Sequence, residues 1–307
     1  MKKNTKGQNE MFKDKDVICF LGDSITANGL WMGEVYQTLR KKYRVKCYNI
    51  GVPGGRISMA EKCLYSRCLA FNPDYVTVSF GINDVDHTYY RGRYENLTED
   101  ELKEKAFEIY NESYERVIQK IIAFGAQPII CIPSPYDDVN EFEKAKDDTQ
   151  VKIDRCIEFI KGLATKYNCP VVDFKSVMQP MLKEHDLIRE DRVHPTDEGQ
   201  HIMAQTFLRD MGEISEIDFD TPFEFEEWNK KRYDKEQELR WFNFVEYCAF
   251  IDNWAEGKST EEKKAAVLKS YEGCEDKTTG VAGAYRDYPK ILDTKEVIME
   301  EIISLTI

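Results

Sequence analysis

The sequence predicts an α/β protein built on a five-stranded parallel sheet, followed by a C-terminal helical extension. Short apolar runs of the length of buried strands recur between residues 17 and 212, and the segments between them carry apolar residues at helical spacing. Strands separated by helices require right-handed crossovers, which place the strands parallel in one sheet. After about residue 213 the alternation stops.

The first predicted strand, Val17 to Leu21, contains only apolar residues, as expected of a strand buried on both faces. In parallel sheets, ligands bind beyond the carboxyl ends of the strands, so functional residues are expected directly after each run. The five predicted strands are 17–21, 45–49, 75–80, 127–132 and 170–173.

Helices are predicted between these strands because apolar residues recur there near every third or fourth position. In the third helix such residues form one stripe, which we expect to lie in the core. The predicted helices are 31–42, 58–71, 101–124 and 149–166, and the stripe consists of Tyr110, Tyr114, Val117, Ile118 and Ile121.

The C-terminal third begins with an acidic, aromatic-rich linker, Glu213 to Glu227. An apolar helical face follows, and two later segments resemble capping boxes. We expect a tail (1–16), a main domain (17–212) and an extension (213–307) that packs on the main domain or pairs subunits as a homodimer, rather than covering a functional site. The face consists of Trp241, Phe244, Val245, Cys248 and Ile251, and the boxes pair Ser259 with Glu262 and Asp293 with Glu296.

Charge and composition exclude several classes of partner. The chain of 307 residues has a net charge of −13 and a pI of about 5.0. Binding to nucleic acid or to an anionic membrane depends on clustered Lys and Arg, so neither partner is expected. Met1 to Asp16 lacks an apolar stretch resembling a signal peptide, and no run reaches transmembrane length, which predicts a cytoplasmic protein.

The nine cysteines are scattered, and several lie in apolar strand-like runs. An odd number without metal-ligand spacing favours reduced, buried thiols over disulfides or zinc. We therefore expect neither a metal nor another cofactor.

Ser24 lies in Gly22-Asp23-Ser24-Ile25-Thr26, between the first strand and a helix-like stretch. Glycine permits a sharp turn there, and the turn places Ser24 at a helix N-terminus, where backbone N–H groups favour developing negative charge. The position suits a nucleophile in acyl transfer. An ordinary turn, in which Asp and Ser bond nearby backbone, explains the pentapeptide equally well.

A nucleophilic serine needs a base, and the chain has four histidines: His87, His185, His194 and His201. Of these, His194 has a carboxylate, Asp191, three residues before it and a helix-like segment after it. Pro195 keeps His194 on a loop, where Asp191 can reach the imidazole and fix its tautomer. The segment also suits a helix cap, because Thr196 and Asp197 precede an apolar run, and both interpretations can hold.

Two further loops follow predicted strands and carry possible oxyanion donors. Asn49 to Gly55 contains glycines that let a backbone N–H approach a ligand, and Gly81-Ile82-Asn83-Asp84 contains an amide side chain. Each alone fits an ordinary loop.

These four segments, over about residues 15 to 212, resemble the SGNH hydrolases, also called the GDSL esterase and lipase family. The resemblance implies a flavodoxin-like three-layer α/β/α sandwich. It also implies Ser24 as nucleophile, His194 as general base and acid, and Asp191 as the residue that orients His194. The oxyanion hole would consist of the Ser24 and Gly54 backbone amides and the Asn83 side chain. Asn49 and Asp23 would organise loops, although surface-turn roles stay open.

Residues 86–100 form an insertion after the Asn83 loop that is expected to overhang the site or to be a simple solvated loop. Tyrosine and arginine side chains there can stack on and hydrogen-bond a sugar. The candidate substrate-binding residues are Arg56, Tyr89, Tyr90 and Tyr136, although Arg56 can equally brace a loop.

The resemblance and this polar rim predict a serine esterase that forms an acyl-enzyme and removes an acetyl group from a carbohydrate. Its partner would be a small-molecule ester, in particular an acetylated sugar. Lysophospholipase or thioesterase activity is the alternative within the family. A catalytically silent carbohydrate-binding or scaffolding protein is the alternative of another class.

Overall fold

The computed structural model describes residues 11–251 and 297–305. The five strands are β1 (Val17–Gly22), β2 (Lys46–Asn49), β3 (Tyr75–Ser79), β4 (Gln127–Ile132) and β5 (Val171–Asp173). They form one parallel sheet in the order β2-β1-β3-β4-β5. The chain adds β2 on one side of β1 and the later strands on the other side, so the topological switch point of this flavodoxin-like sheet lies between β1 and β3.

Eight α-helices lie between Ser24 and Ile251, and four of them correspond to the four predicted helices to within a few residues at each end. They are α1 (Ser24–Asn28), α2 (Leu30–Arg40), α3 (Ile57–Arg67), α4 (Glu99–Phe124), α5 (Thr149–Tyr167), α6 (Phe174–Met178), α7 (Asp197–Asp210) and α8 (Glu227–Ile251). Short 3₁₀ helices occupy Leu69–Phe71, His87–Arg93 and Gln179–Met181, and residues 297–305 are also helical. None of the described helices has the length and apolar character needed to span a bilayer.

Alternate residues of the strands enter different cores, which gives the predicted three layers. Val76 and Val78 pack with α3, α4 and α5 on one face, and the predicted stripe of α4 is buried there. Ile18 and Phe20 pack with α2, α6 and α7 on the other face. Trp31 of α2 is fully buried there against the rings of Phe20, Phe174 and Phe207.

The seven cysteines whose burial is described are all buried, and no group of three His, Cys, Asp or Glu side chains within the described ranges is placed to hold a metal ion. In the extension, α8 packs on α2, where the Trp228 ring meets Tyr36 edge-on at 5.2 Å. Leu239 of α8 forms a small cluster with Ile298 and Ile302. The side chains of the predicted apolar face (241–251) and both capping boxes lie outside the described residues.

Candidate active site

Ser24 lies directly beyond the carboxyl end of β1, as the first residue of α1. Asp23 caps this helix, since its carboxylate accepts a hydrogen bond from the Ile25 N–H at 2.9 Å. The glycine at the end of β1 and the capping aspartate therefore turn the chain sharply. The turn brings Ser24 to the switch point of the sheet.

Ser24, His194 and Asp191 form a continuous hydrogen-bonded line. Ser24 Oγ lies 2.8 Å from His194 Nε2, and His194 Nδ1 lies 2.7 Å from Asp191 Oδ2. Nδ1 faces a carboxylate and must carry the proton, so Nε2 is the acceptor for the Ser24 hydroxyl. The arrangement allows His194 to take the proton of Ser24.

Asp191 is held as a carboxylate by its neighbours. Partial burial raises the pKa of this side chain, but hydrogen bonds outweigh burial and bring the pKa below its ordinary value. The donors are the backbone N–H groups of His194 and Val193, each 2.9 Å from Oδ1, and the His194 ring. A charged carboxylate at this position can stabilise an imidazolium at His194.

Arg192, which the sequence analysis did not single out, anchors the loop between Asp191 and His194. Its side chain is 1% exposed and its backbone has a φ of 67°, which is uncommon outside glycine. The guanidinium donates to the carbonyl oxygens of Lys144 at 2.7 Å and of Asp137 and Asn140 at 2.8 Å each. Its position between the predicted aspartate and histidine is the one sequence signal for this role.

The first predicted oxyanion loop is tied to α1 by Asn49. Asn49 Nδ2 donates to the Thr26 carbonyl at 3.1 Å, and Asn49 Oδ1 accepts from the Gly51 N–H at 2.9 Å. Gly54 has a φ of 71°, a backbone conformation that favours glycine. The preference comes from the backbone and not from crowding, since no atom lies within 4 Å of a Cβ built at this position. Asn49 thus sets the position of the glycine loop relative to Ser24.

The second predicted loop contains Asn83, whose Nδ2 donates to the Gly55 carbonyl at 3.1 Å. An amide nitrogen carries two hydrogens, so this bond orients the group and leaves a second N–H for an oxyanion. The adjacent Asp84 accepts from the Ile57 N–H at 2.9 Å and thereby caps α3. The two loops are consequently fixed against each other.

Two buried carboxyl groups lie beneath these loops. Burial raises the pKa of Asp23 and of Asp84 to about 7 each, and the hydrogen bonds from backbone N–H groups only partly oppose this rise. Both groups contribute to loop geometry, which agrees with the organising role expected for Asp23.

The candidate substrate-binding residues do not form an open rim. Arg56 is 9% exposed and stacks on the Tyr89 ring at 3.6 Å, so it braces the 3₁₀ helix His87–Arg93 against the glycine loop. Tyr90 is not placed to contact a substrate as predicted, because its ring is buried against Leu102 and Ala106 of α4. Tyr136 is fully buried as well.

A parallel sheet with a serine at the carboxyl end of its first strand and a histidine–aspartate pair beside it has the layout of the α/β ester hydrolases. Residues 18–207 match the model of the GDSL-like lipases and acylhydrolases, and the chain belongs to this family. This result confirms the resemblance noted in the sequence.

Individual relatives agree with this family. The chain is 26% identical over 219 residues to an acetylxylan esterase of Geobacillus stearothermophilus, a match that covers 64% of this chain and 93% of that protein. Crystal structures of the same organism's acetylxylan esterase Axe2 superpose with a TM-score of 0.53, at 20% identity over 66% of this chain and 96% of Axe2. A gut microbial diltiazem-metabolizing enzyme superposes with a TM-score of 0.71 over 98% of this chain and 97% of its own, at 14% identity.

Proposed function

We propose that this ester hydrolase acts through Ser24 as nucleophile, His194 as general base and acid, and Asp191 as the orienting carboxylate. The observation that carries the proposal is the hydrogen-bonded line from Ser24 Oγ through His194 to Asp191. Catalytic mutants of Axe2 replace a serine, an aspartate and a histidine with alanine, and that aspartate lies three residues before that histidine. The same spacing separates Asp191 and His194, which supports the proposal.

In the first half-reaction, His194 Nε2 takes the hydroxyl proton of Ser24 while Oγ bonds to the ester carbonyl carbon. The carbonyl oxygen becomes an oxyanion, which accepts hydrogen bonds from the backbone N–H groups of Ser24 and Gly54 and from the Asn83 amide. The intermediate collapses when the bond to the alcohol oxygen breaks and His194 returns the proton to that oxygen. The alcohol leaves, and Ser24 carries the acyl group.

Water then repeats the sequence. His194 takes a proton from a water molecule whose oxygen attacks the acyl carbon, and the same donors stabilise the second oxyanion. The bond to Ser24 Oγ breaks, His194 returns the proton to Oγ, and the carboxylic acid departs. Ser24 is regenerated, and the net reaction consumes one ester and one water.

The acyl group that we propose is acetyl. A narrow cavity beside the nucleophile is lined by the residues on either side of Ser24, namely Asp23 and Ile25, and by Ile82, Pro135 and Val193. The cavity is so narrow that it has room for little more than a water-sized group, so it suits a methyl group better than a long acyl chain. The relationship to an acetylxylan esterase supports an acetylated carbohydrate as the substrate.

Hydrolysis of p-nitrophenyl acetate tests the nucleophile. Ser24→Ala is expected to lose at least about a thousandfold in kcat, because the residual rate rests on oxyanion donors alone. The matched control is Ser66→Ala, which removes an exposed hydroxyl from α3 and is expected to keep full activity. Equal turnover by Ser24→Ala and wild type would refute the assignment.

The acyl group and the leaving group are tested separately. In a p-nitrophenyl ester series, kcat/KM is expected to fall beyond butyrate, and Ile82→Ala, which widens the cavity, is expected to shift that limit to longer chains. Acetate release from acetylated xylo-oligosaccharides then tests the carbohydrate. Faster cleavage of a lysophospholipid or an acyl thioester than of any acetylated sugar would contradict the proposed substrate.

A further inference from the structure

Helix α1, which begins with Ser24, has only five residues and depends on outside contacts at its C-terminal end. The Thr26 carbonyl accepts from Asn49 Nδ2 at 3.1 Å and from the Gly29 N–H at 3.0 Å. The Asn28 carbonyl accepts from Gln237 Nε2 at 2.8 Å. Gln237 belongs to α8, so the C-terminal extension supplies one of the groups that fix the nucleophile helix.

Helix α8 is itself anchored to the main domain through buried polar contacts. Asn229 Nδ2 donates to the Gly33 carbonyl of α2 at 2.8 Å, and Asn229 Oδ1 accepts from Arg232 Nε at 2.9 Å. Asn229 and Arg232 are both 0% exposed. A buried donor without its acceptor is costly, so these contacts hold α8 in one position on α2.

The next turn of α8 lies beside Asn49, the residue that joins α1 to the glycine loop. Glu236 is buried, forms an ion pair with Arg232, and lines a small cavity together with Asn49 and Gly51. A Cβ built on Gly29 would lie 3.0 Å from Asn49 Nδ2, 3.5 Å from Gln237 Nε2 and 3.6 Å from Glu236 Oε2. The three side chains therefore converge on the end of α1.

We propose that Gln237 and Glu236 of α8 are positioning residues for the reaction at Ser24. Gln237 fixes the Asn28 end of α1, and Glu236 lines one small cavity with Asn49, the residue that ties α1 to the glycine loop. The inference rests on the proposed roles of Ser24 and Gly54. Helix α8 lies outside residues 18–207, so it stabilises the active site from beyond the part that matches the family model.

The test compares Gln237→Met and Glu236→Gln with wild type in the full chain, using p-nitrophenyl acetate. Gln237→Met keeps the side-chain volume but removes the donor to Asn28, and Glu236→Gln removes the charge that faces Arg232. The matched control is Glu238→Gln, which alters an exposed carboxylate on the same helix. The concentration of reactive serine is titrated with a fluorophosphonate, so that kcat is expressed per active site.

We expect Gln237→Met and Glu236→Gln each to lower kcat per active site about tenfold, because a small displacement of a nucleophile is costly, while KM changes less than about twofold. Glu238→Gln is expected to match wild type. A lower melting temperature with unchanged kcat per titrated serine would show that α8 only stabilises the fold and would overturn the proposal. If wild type and Ser24→Ala hydrolyse the ester equally, the proposed function fails instead, so the two failures are distinguishable.

Discussion

Arg192 Nη1 donates a 2.8 Å hydrogen bond to the carbonyl oxygen of Asp137, and this contact joins the loop of Asp191 and His194 to the segment that follows β4. The Asp137 N–H donates in return to the Arg192 carbonyl at 2.9 Å. Lys144 Nζ adds a bond of 2.8 Å to the Asp191 carbonyl. The geometry of the histidine–aspartate pair therefore depends on a segment distant in sequence.

The first prediction concerns Arg192→Lys. An ammonium group is a point charge and cannot reproduce the planar contacts to three carbonyl oxygens, so the loop is expected to shift. We expect kcat/KM for p-nitrophenyl acetate to fall about tenfold, since the Ser24–His194 distance controls proton transfer. Arg155→Lys, which changes an exposed arginine paired with Glu104, is the control. An unaltered kcat/KM in Arg192→Lys would contradict the anchoring role.

The second prediction separates backbone conformation from space at Gly54. No atom lies within 4 Å of a Cβ built there, so Gly54→Ala meets no steric barrier, but a φ of 71° is unfavourable for alanine by about 1 kcal/mol. We expect kcat to fall about tenfold or more, because a displaced N–H weakens the oxyanion contact. Initial rates at saturating ester measure this effect.

Gly162 is the matched control because it also has open space around its Cα, but it lies within α5 and has no positive φ. Gly162→Ala is expected to raise the free energy of unfolding by about 0.5–1 kcal/mol and to leave kcat unchanged. Equal kinetics for the two alanine variants would argue against a role for the Gly54 conformation.

The strands, the main helices and the line of Ser24, His194 and Asp191 were accessible from sequence because each depends on a local pattern. An apolar run ending in glycine marks the end of a strand, and parallel strands bring their carboxyl ends to one edge of the sheet. The sequence thus allowed three distant segments to be placed together. The distances between their side chains required the structure.

Contacts between segments distant in sequence left no such pattern. Arg192 and Gln237 bond backbone carbonyl groups, which any residue supplies, so nothing in the chain identifies their partners. Tyr90 shows the opposite case, because the sequence pattern suggests an exposed ring and the structure buries it. A polar, glycine-containing insertion suggested an exposed rim, but its 3₁₀ helix packs on Leu102 and Ala106 and buries the ring. Burial of such an insertion depends on the neighbouring helix, which composition does not reveal.

The third prediction uses the raised pKa of Asp23, about 7 in the folded protein because of burial, against 3.8 for the ordinary group. The folded state binds this proton more tightly, so the contribution of Asp23 to stability becomes less favourable as pH rises from about 4 to about 7. Asp23→Asn keeps the cap on Ile25 without the charge. Relative to wild type, its free energy of unfolding is expected to be about 2.5 kcal/mol higher at pH 8 than at pH 5.

Urea unfolding at the two pH values measures this difference. The charge of Asp84 adds to the raised pKa of Asp23, so the same comparison is repeated in an Asp84→Asn background. A pH-independent difference between Asp23→Asn and wild type would contradict the assignment of a raised pKa to Asp23.

The fourth prediction concerns His201, which joins α7 and α2 to the segment that precedes α8. His201 Nδ1 lies 2.9 Å from Glu34 Oε2, and Nε2 lies 2.8 Å from the Asp218 carbonyl oxygen. Both partners are acceptors, so only the protonated ring can donate to both of them. The hydrogen bond to Glu34 raises the pKa of His201 above 6.5, and burial only partly opposes this rise.

Because the folded pKa is the higher one, the stability that His201 contributes is fully present below pH 6.5 and is lost as pH rises through the folded pKa. His201→Gln is therefore expected to reduce the free energy of unfolding most at pH 6 and least at pH 9, as measured by urea unfolding. His185→Gln removes a half-exposed histidine that also faces a carboxylate, Glu198, and is expected to have a small effect at both pH values, since exposed ion pairs contribute little. If the free energy of unfolding that His201→Gln loses does not change with pH, the ring acts through packing. Only a ring that gains and loses its charge can make the hydrogen bonds to Glu34 and Asp218 stronger at low pH than at high pH.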